Sequence, residues 1–132
     1  MLAKMDIDQV YPPNYIERFM SLVDEYKVVG PLIKDRWEQS NFMPLAFKSY
    51  DGMELKRMNI SKCFGVCEVP YPHTNMFYAR EVLEKVKPPW YEAHQTEDGL
   101  DRSNHVDYTF IDKIHDAGYP TYIDFQTEVK HG

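Results

Sequence analysis

Apolar positions recur at two spacings along the chain, and the spacings lay out its elements. Leu2 to Met5 is a short, mostly apolar run that ends at Asp6-Ile7-Asp8 and then Gln9-Val10-Tyr11-Pro12-Pro13, the pattern of a strand end leading into a loop. Ile16, Phe19, Met20 and Val23 fall at i, i+3, i+4 and i+7. This predicts an amphipathic helix over residues 14–26, with Pro13 suited to its first turn. Lys27-Val28-Val29-Gly30-Pro31-Leu32-Ile33 is β-branched and apolar and suits a strand, which Pro31 assigns to a sheet edge or cuts short. Over residues 34–75 the pattern sets no register: Leu45-Ala46-Phe47 and Ile60 to Val69 are candidate strands, with turns at Asp51-Gly52 and around Pro70-Tyr71-Pro72.

Met76-Phe77-Tyr78 reads as a short strand entering a helix at 79–86, whose apolar face is Val82, Leu83 and Val86 and which Pro88-Pro89 stops. Glu92 to Asn104 is a polar, acidic loop containing Gly99. Val106, Phe110, Ile111 and Ile114 form a helical stripe that Ser103 or Asn104 can cap, and Gly118 lies where a left-handed C-terminal residue is expected. Tyr119 to Asp124 and Thr127 to Lys130 are two further candidate strands. Strands alternating with helices in this way describe an α/β domain with a mixed sheet. The chain starts inside a strand and stops at Lys130-His131-Gly132, the look of a segment cut at both ends.

Composition narrows the class. At 132 residues, with 43% hydrophobic and 27% charged positions, the chain is sized for one globular core. A net charge of −6 argues against nucleic acid as partner, which calls for clustered Lys and Arg. No apolar run is long enough to cross a bilayer and no signal-peptide core precedes Asp6, so a cytoplasmic location is the default expectation. The two cysteines, Cys63 and Cys67, have no second pair with which to make a zinc site. In an extended segment they would sit about 13 Å apart, beyond disulfide reach, and they read as buried thiols rather than a redox pair. Acidic residues Glu97, Asp98 and Asp101 either bind a cation or are simply solvated.

Asp6 and Asp8 stand one residue apart at the carboxyl end of the first strand. That end is where ligand crevices open in α/β sheets, and two carboxylates there can hold a hard divalent cation, Mn or Mg, that bridges substrate phosphates. Taken by itself, the pair reads as part of a solvated loop. His131 alone reads as a surface histidine, and Trp90 with Tyr91 as either a sugar-stacking pair or packed aromatics.

Four blocks together resemble nucleotide-sugar-dependent glycosyltransferases of the GT-A fold. The first runs from Met5 through Asp6, Asp8 and Pro12-Pro13, and the second is Val28-Val29-Gly30-Pro31. Met76 to Lys87 with Pro88-Pro89-Trp90-Tyr91 is similar to that family's "Met-Leu-Ile-Arg-Arg-Glu-Val-Phe-Glu-Lys" helix and "Pro-Pro-Trp-Phe" continuation. Val106 to Phe110, then Ala117-Gly118-Tyr119 and Tyr122-Ile123-Asp124, ending at His131, is similar to its terminal helix, turn, strand and metal-binding histidine. The blocks occur in the family's order and cover most of the chain.

The resemblance implies a partial GT-A-like mixed sheet flanked by about three helices and lacking the N-terminal nucleotide-binding strands. It implies metal ligation by Asp6, Asp8 and His131, with Asp6 alternatively on the donor's ribose, and transfer of a sugar from a nucleoside diphosphate sugar to a carbohydrate or lipid-linked acceptor. Where the family carries Glu-Asp before its terminal helix, this chain has Asn104 and His105. His105 and Asp107 are then the candidate proton acceptors, Asn104 and Trp90 candidate substrate contacts, with a helix cap and a favourable first-turn charge as the plainer reading of Asn104 and Asp107. The family's Gly-rich turn before Met76 is replaced by Tyr71-Pro72-His73-Thr74-Asn75. The expected activity is that of a fragment, weak or absent in isolation. The alternative is a non-catalytic relative that binds or assembles, for instance as a homo-oligomer covering an open sheet edge.

Overall fold

The computed structural model describes residues 1–34, 43–51, 54–86, 88 and 106–131. Trp90, Asn104 and His105, with the acidic loop of Glu97, Asp98 and Asp101, lie outside these residues, as do Gly52 and Ser103.

The chain opens with β1 (Leu2–Ala3) and β2 (Gln9–Val10), separated by the turn that carries Asp6 and Asp8. Helix α1 (Tyr15–Tyr26) follows, then β3 (Val28–Ile33). Asn14 is the residue before the helix, and Tyr15 N donates to Pro12 O at 3.1 Å, so Pro13 sits in the lead-in turn rather than in the first helical turn. Strands β4 (Ala46–Tyr50), β5 (Leu55–Arg57), β6 (Val66–Glu68), β7 (Tyr71–Pro72) and β8 (Phe77–Tyr78) come next, and then α2 (Arg80–Lys85), α3 (Val106–Asp116) and β9 (Tyr122–His131).

The main sheet has six strands in the order β1-β8-β3-β9-β2, with β6 also paired to β9. β8 is antiparallel to both β1 and β3, and β3 is parallel to β9. β1, β3 and β9 therefore point the same way and end on the same side of the sheet. This is the mixed α/β arrangement that the alternation of elements predicts. A second sheet, β5-β4-β7, is antiparallel. Its presence makes a short strand of Tyr71–Pro72, where the proline spacing suggested a turn.

The two faces of the main sheet are covered by different helices. On one, Tyr15, Phe19 and Val23 of α1 pack on Val29, Ile33, Phe77 and Val129. On the other, Val82 and Val86 join Phe110 and Ile114 of α3 against Val28, Met76 and Tyr78. Neighbouring strand residues thus serve opposite faces, as the pleat requires. Phe19 and Phe77 stack with ring centroids 4.8 Å apart, and Tyr78 meets Phe110 at 5.4 Å. The small sheet docks on α3 through aromatic contacts of Phe47, Tyr50 and Tyr71 with Tyr108, and Tyr71 donates to Asp112 Oδ1 at 2.5 Å.

Pro31 lies inside this six-stranded sheet, not at its edge. β8 pairs with β3 only at Val28 and Val29, so the ladder on that side has ended before Pro31 is reached. The Pro31 carbonyl accepts instead from His73 Nε2 at 2.7 Å. Because the nitrogen and carbonyl of one strand residue point the same way, the missing N–H faces that same unladdered side, where no strand asks for it.

The two closing strand candidates are one strand with an irregularity. Pro31 pairs with Asp124 but Leu32 pairs with Glu128, so Phe125, Gln126 and Thr127 are extra residues on β9. Asp124 organises them: Gln126 N donates to its Oδ1 at 3.1 Å, and Thr127 Oγ1 donates to its Oδ2 at 2.7 Å. Of the stretch Ile60 to Val69, only Val66–Glu68 is strand. The residues ahead of it turn, with Cys63 N donating to Ile60 O at 2.9 Å and Gly65 at φ +80°.

Candidate functional site

The carboxyl ends of β1, β3 and β9 converge on one rim of the sheet. Asp6 and Asp8 follow β1 there, and the register of β2 against β9 sets Gln9 opposite His131 and Val10 opposite Lys130. The backbone of His131 therefore lies one residue from Asp8, across 123 positions of sequence. The three extra residues of β9 contribute to this. Side chains alternate faces along a strand, so an odd insertion reverses which face each later residue serves.

Several polar groups gather under the Asp6–Asp8 turn. Tyr11 donates to the Asp6 carbonyl at 2.8 Å and to Gln9 Oε1 at 3.2 Å. Asn75 Nδ2 donates to the same Gln9 oxygen and lies 3.3 Å from the Tyr11 hydroxyl, while Asn75 Oδ1 is buried without a hydrogen-bond partner among the described residues. Lys4 donates to Thr74 Oγ1 at 3.1 Å and lies 4.0 Å from Asp6 Oδ1. Gln9, whose backbone faces His131, is thus gripped from below by Asn75 and Tyr11.

His73 anchors that support. Its Nε2–H donates to the Pro31 carbonyl, and its Nδ1 accepts from Asn75 N at 3.1 Å, which fixes the neutral tautomer. Burial drives its pKa down to about 4, against an opposing pull from the Pro31 hydrogen bond, with Lys4 lowering and Asp6 raising it further. Gly30 leaves the room this needs: a Cβ there would lie 2.9 Å from Met76 Cγ and 3.3 Å from both Asn75 O and His73 Cε1.

Asp124 has no exposed surface and receives Arg18 Nε at 2.6 Å. Burial by itself would raise its pKa, but the hydrogen bonds from Arg18, Thr127 and Gln126 N prevail and hold it below the ordinary carboxylate value. A polar cleft of about 420 Å³ opens beside this pair, lined by Pro12, Asn14, Arg18, Gln126, Thr127 and Glu128.

Of the residues singled out from sequence, the fold brings Asp6 and Asp8 and the backbone of His131 to one rim. Asp107 is the second residue of α3. Among the described residues, no three His, Cys, Asp or Glu side chains are gathered closely enough to hold a metal. The supporting residues Gln9, Tyr11, His73 and Asn75 were not legible as such. The one signal was the run Tyr71-Pro72-His73-Thr74-Asn75, where the resemblance led one to expect a Gly-rich turn and the sequence has bulkier polar residues. No helix among the described residues is long and apolar enough to cross a membrane. Compared with known proteins, the chain matches no protein-family model and no curated protein.

Proposed function

We propose that this chain carries the metal and acceptor side of a GT-A-like glycosyltransferase, moving a sugar from a nucleoside diphosphate to a carbohydrate or lipid-linked acceptor. The observation that supports the reading is the β2–β9 register, which sets His131 opposite Gln9 and next to Asp8 at the carboxyl ends of parallel strands. Asp6, Asp8 and His131 would hold the cation. Two carboxylates and an imidazole form a donor set suited to Mn²⁺, with Mg²⁺ as the harder alternative. Such an ion, when bound, neutralises charge on a leaving diphosphate.

The rest of the rim has duties consistent with this. Tyr11 fixes the Asp6 carbonyl, which restrains the turn between the two carboxylates, and Asn75 holds the strand that faces His131. Lys4 Nζ lies 4.0 Å from Asp6 Oδ1 and adds a positive charge to the rim. Asp107 in the first turn of α3 and the neighbouring His105 are the candidates for accepting the acceptor hydroxyl's proton.

The test is calorimetric titration of the folded chain with Mn²⁺ and then with UDP or GDP. The expected result is nucleotide binding that depends on Mn²⁺ and falls at least about tenfold in Asp8→Ala and in His131→Ala, since each removes a direct ligand. A folded chain with no metal-dependent nucleotide affinity would overturn the reading and leave a binding or oligomerising module, to be checked by sedimentation.

A further inference from the structure

The cleft beside the Arg18–Asp124 pair is built from side chains that the fold already holds in place. Asp124 has no exposed surface and takes Arg18 Nε at 2.6 Å, Thr127 Oγ1 at 2.7 Å and Gln126 N at 3.1 Å. One buried carboxylate thus anchors three of the cleft's lining residues. Gln126 Oε1 lies 3.4 Å from Arg18 Nη2, and Glu128 Oε1 meets Lys34 Nζ at 3.1 Å.

What these bonds leave unused is a mixture of donors and acceptors. Among the described residues, the two Nη1 hydrogens of Arg18 meet no acceptor, and Gln126, engaged through its oxygen, keeps both amide hydrogens to donate. Thr127 gives its one hydroxyl hydrogen to Asp124 and can only accept from a ligand, as can Glu128 Oε2. Asn14 stands before α1, where an amide ordinarily caps the helix, yet its side chain makes no capping bond. Its amide is left with donor and acceptor alike. Formal charge cancels, Arg18 against Asp124 and Glu128 against Lys34.

We propose that this cleft is a binding site for a neutral polyhydroxylated ligand, a pyranose sugar. Each sugar hydroxyl donates one hydrogen bond and accepts others, so it is matched by donors and acceptors set side by side. Cancelled charge gives an anion or a cation no such advantage. Pro12, the one apolar residue among the six that line the cleft, offers a surface to the C–H face of the ring. The volume of about 420 Å³ falls within the roughly 300–1,000 Å³ of small-molecule pockets. Groups fixed before binding lose little freedom when the ligand arrives. The cleft adjoins the rim along the strands: Pro12 is two residues past Val10 and Glu128 two before Lys130, and Val10 pairs with Lys130. Its binding groups include no cation, so the site stands independently of the rim's metal.

The deciding experiment is amide-correlation NMR of the nitrogen-labelled full chain in EDTA, without nucleotide. The probes are the methyl pyranosides of glucose, galactose, mannose and N-acetylglucosamine, and, separately, inorganic phosphate. The expected result is saturable movement of the Asn14 and Gln126 side-chain amides and of Arg18 Nε–H with at least one pyranoside, and none with phosphate. Asn14 makes no capping bond and the Gln126 side chain only a long one, so Asn14→Ala and Gln126→Ala should keep the folded spectrum. Each should weaken that sugar about threefold to tenfold, the worth of one hydrogen bond. Glu84→Ala, an exposed change on α2 across the sheet, should leave it unaltered. No saturable shift with any pyranoside, cleft signals that move equally with phosphate, or an affinity that both cleft variants leave unchanged would each overturn the proposal. Sugar binding in a chain that shows no Mn²⁺-dependent nucleotide affinity would support this site and overturn only the transfer reading.

Discussion

His73 offers the sharpest quantitative test of the packing under the Asp6–Asp8 turn. Protonating it means adding a proton to Nδ1, the atom that now accepts from Asn75 N, so two N–H donors would be set against each other in a buried space. The imidazole has an ordinary value of 6.5 and a folded value of about 4. As the pH falls below 6.5 the unfolded chain takes up a proton that the native state refuses. Stability is therefore full above that value, declines as the pH falls, and stops declining below about pH 4.

Each pH unit in that window is worth about 1.4 kcal/mol, so moving from pH 7 to pH 5 removes about 2 kcal/mol through this residue alone. Urea denaturation followed by circular dichroism at both pH values measures the total loss, and His73→Gln, which can still donate to Pro31 O, measures the loss without the imidazole. The variant is expected to be less stable at pH 7 by about 1 kcal/mol for the lost Asn75 N bond. Its decline between the two pH values should be about 2 kcal/mol smaller than that of the wild type, and contributions from His115 and the carboxylates cancel in this difference. Wild type and variant declining equally, or an imidazole that titrates above pH 6 by NMR, would refute the argument.

Gly30→Ala should destabilise the fold by about 1–3 kcal/mol, because its Cβ is forced against Met76, Asn75 and His73. An unchanged urea midpoint would show that the contact is looser than the geometry states, since alanine in an open strand position would otherwise stabilise slightly. Asp124→Ala removes the acceptor of Arg18, Thr127 and Gln126 N and should cost about 2–3 kcal/mol. The figure is kept below that of a fully buried pair because 37% of the Arg18 side chain is exposed and water can take over its solvation. In the same variant the register carrying His131 loosens, so Mn²⁺ affinity should fall by more than in a surface control such as Glu17→Ala, and equal affinities would separate Asp124 from the rim.

Local periodicity and composition by themselves determined α1 and α3, the short strands β1, β3 and β8, the left-handed Gly118 at φ +95°, and the placing of Asp6 and Asp8 after a strand. These depend on how a residue is buried relative to near neighbours, which spacing records. Tertiary structure alone decided what depends on distant partners. Arg18 meets Asp124 across 106 positions, and the bonds around Asp124 hold the three extra residues that set β9 against β2. His73 reaches across to Pro31 and frees that proline from needing an edge. The turn at Gly65 delays the strand to Val66–Glu68, where the apolar run from Ile60 suggested a longer one. Side-chain spacing records a face, whereas register is chosen by a hydrogen-bonding partner elsewhere in the chain, and the same local pattern is compatible with more than one such partner.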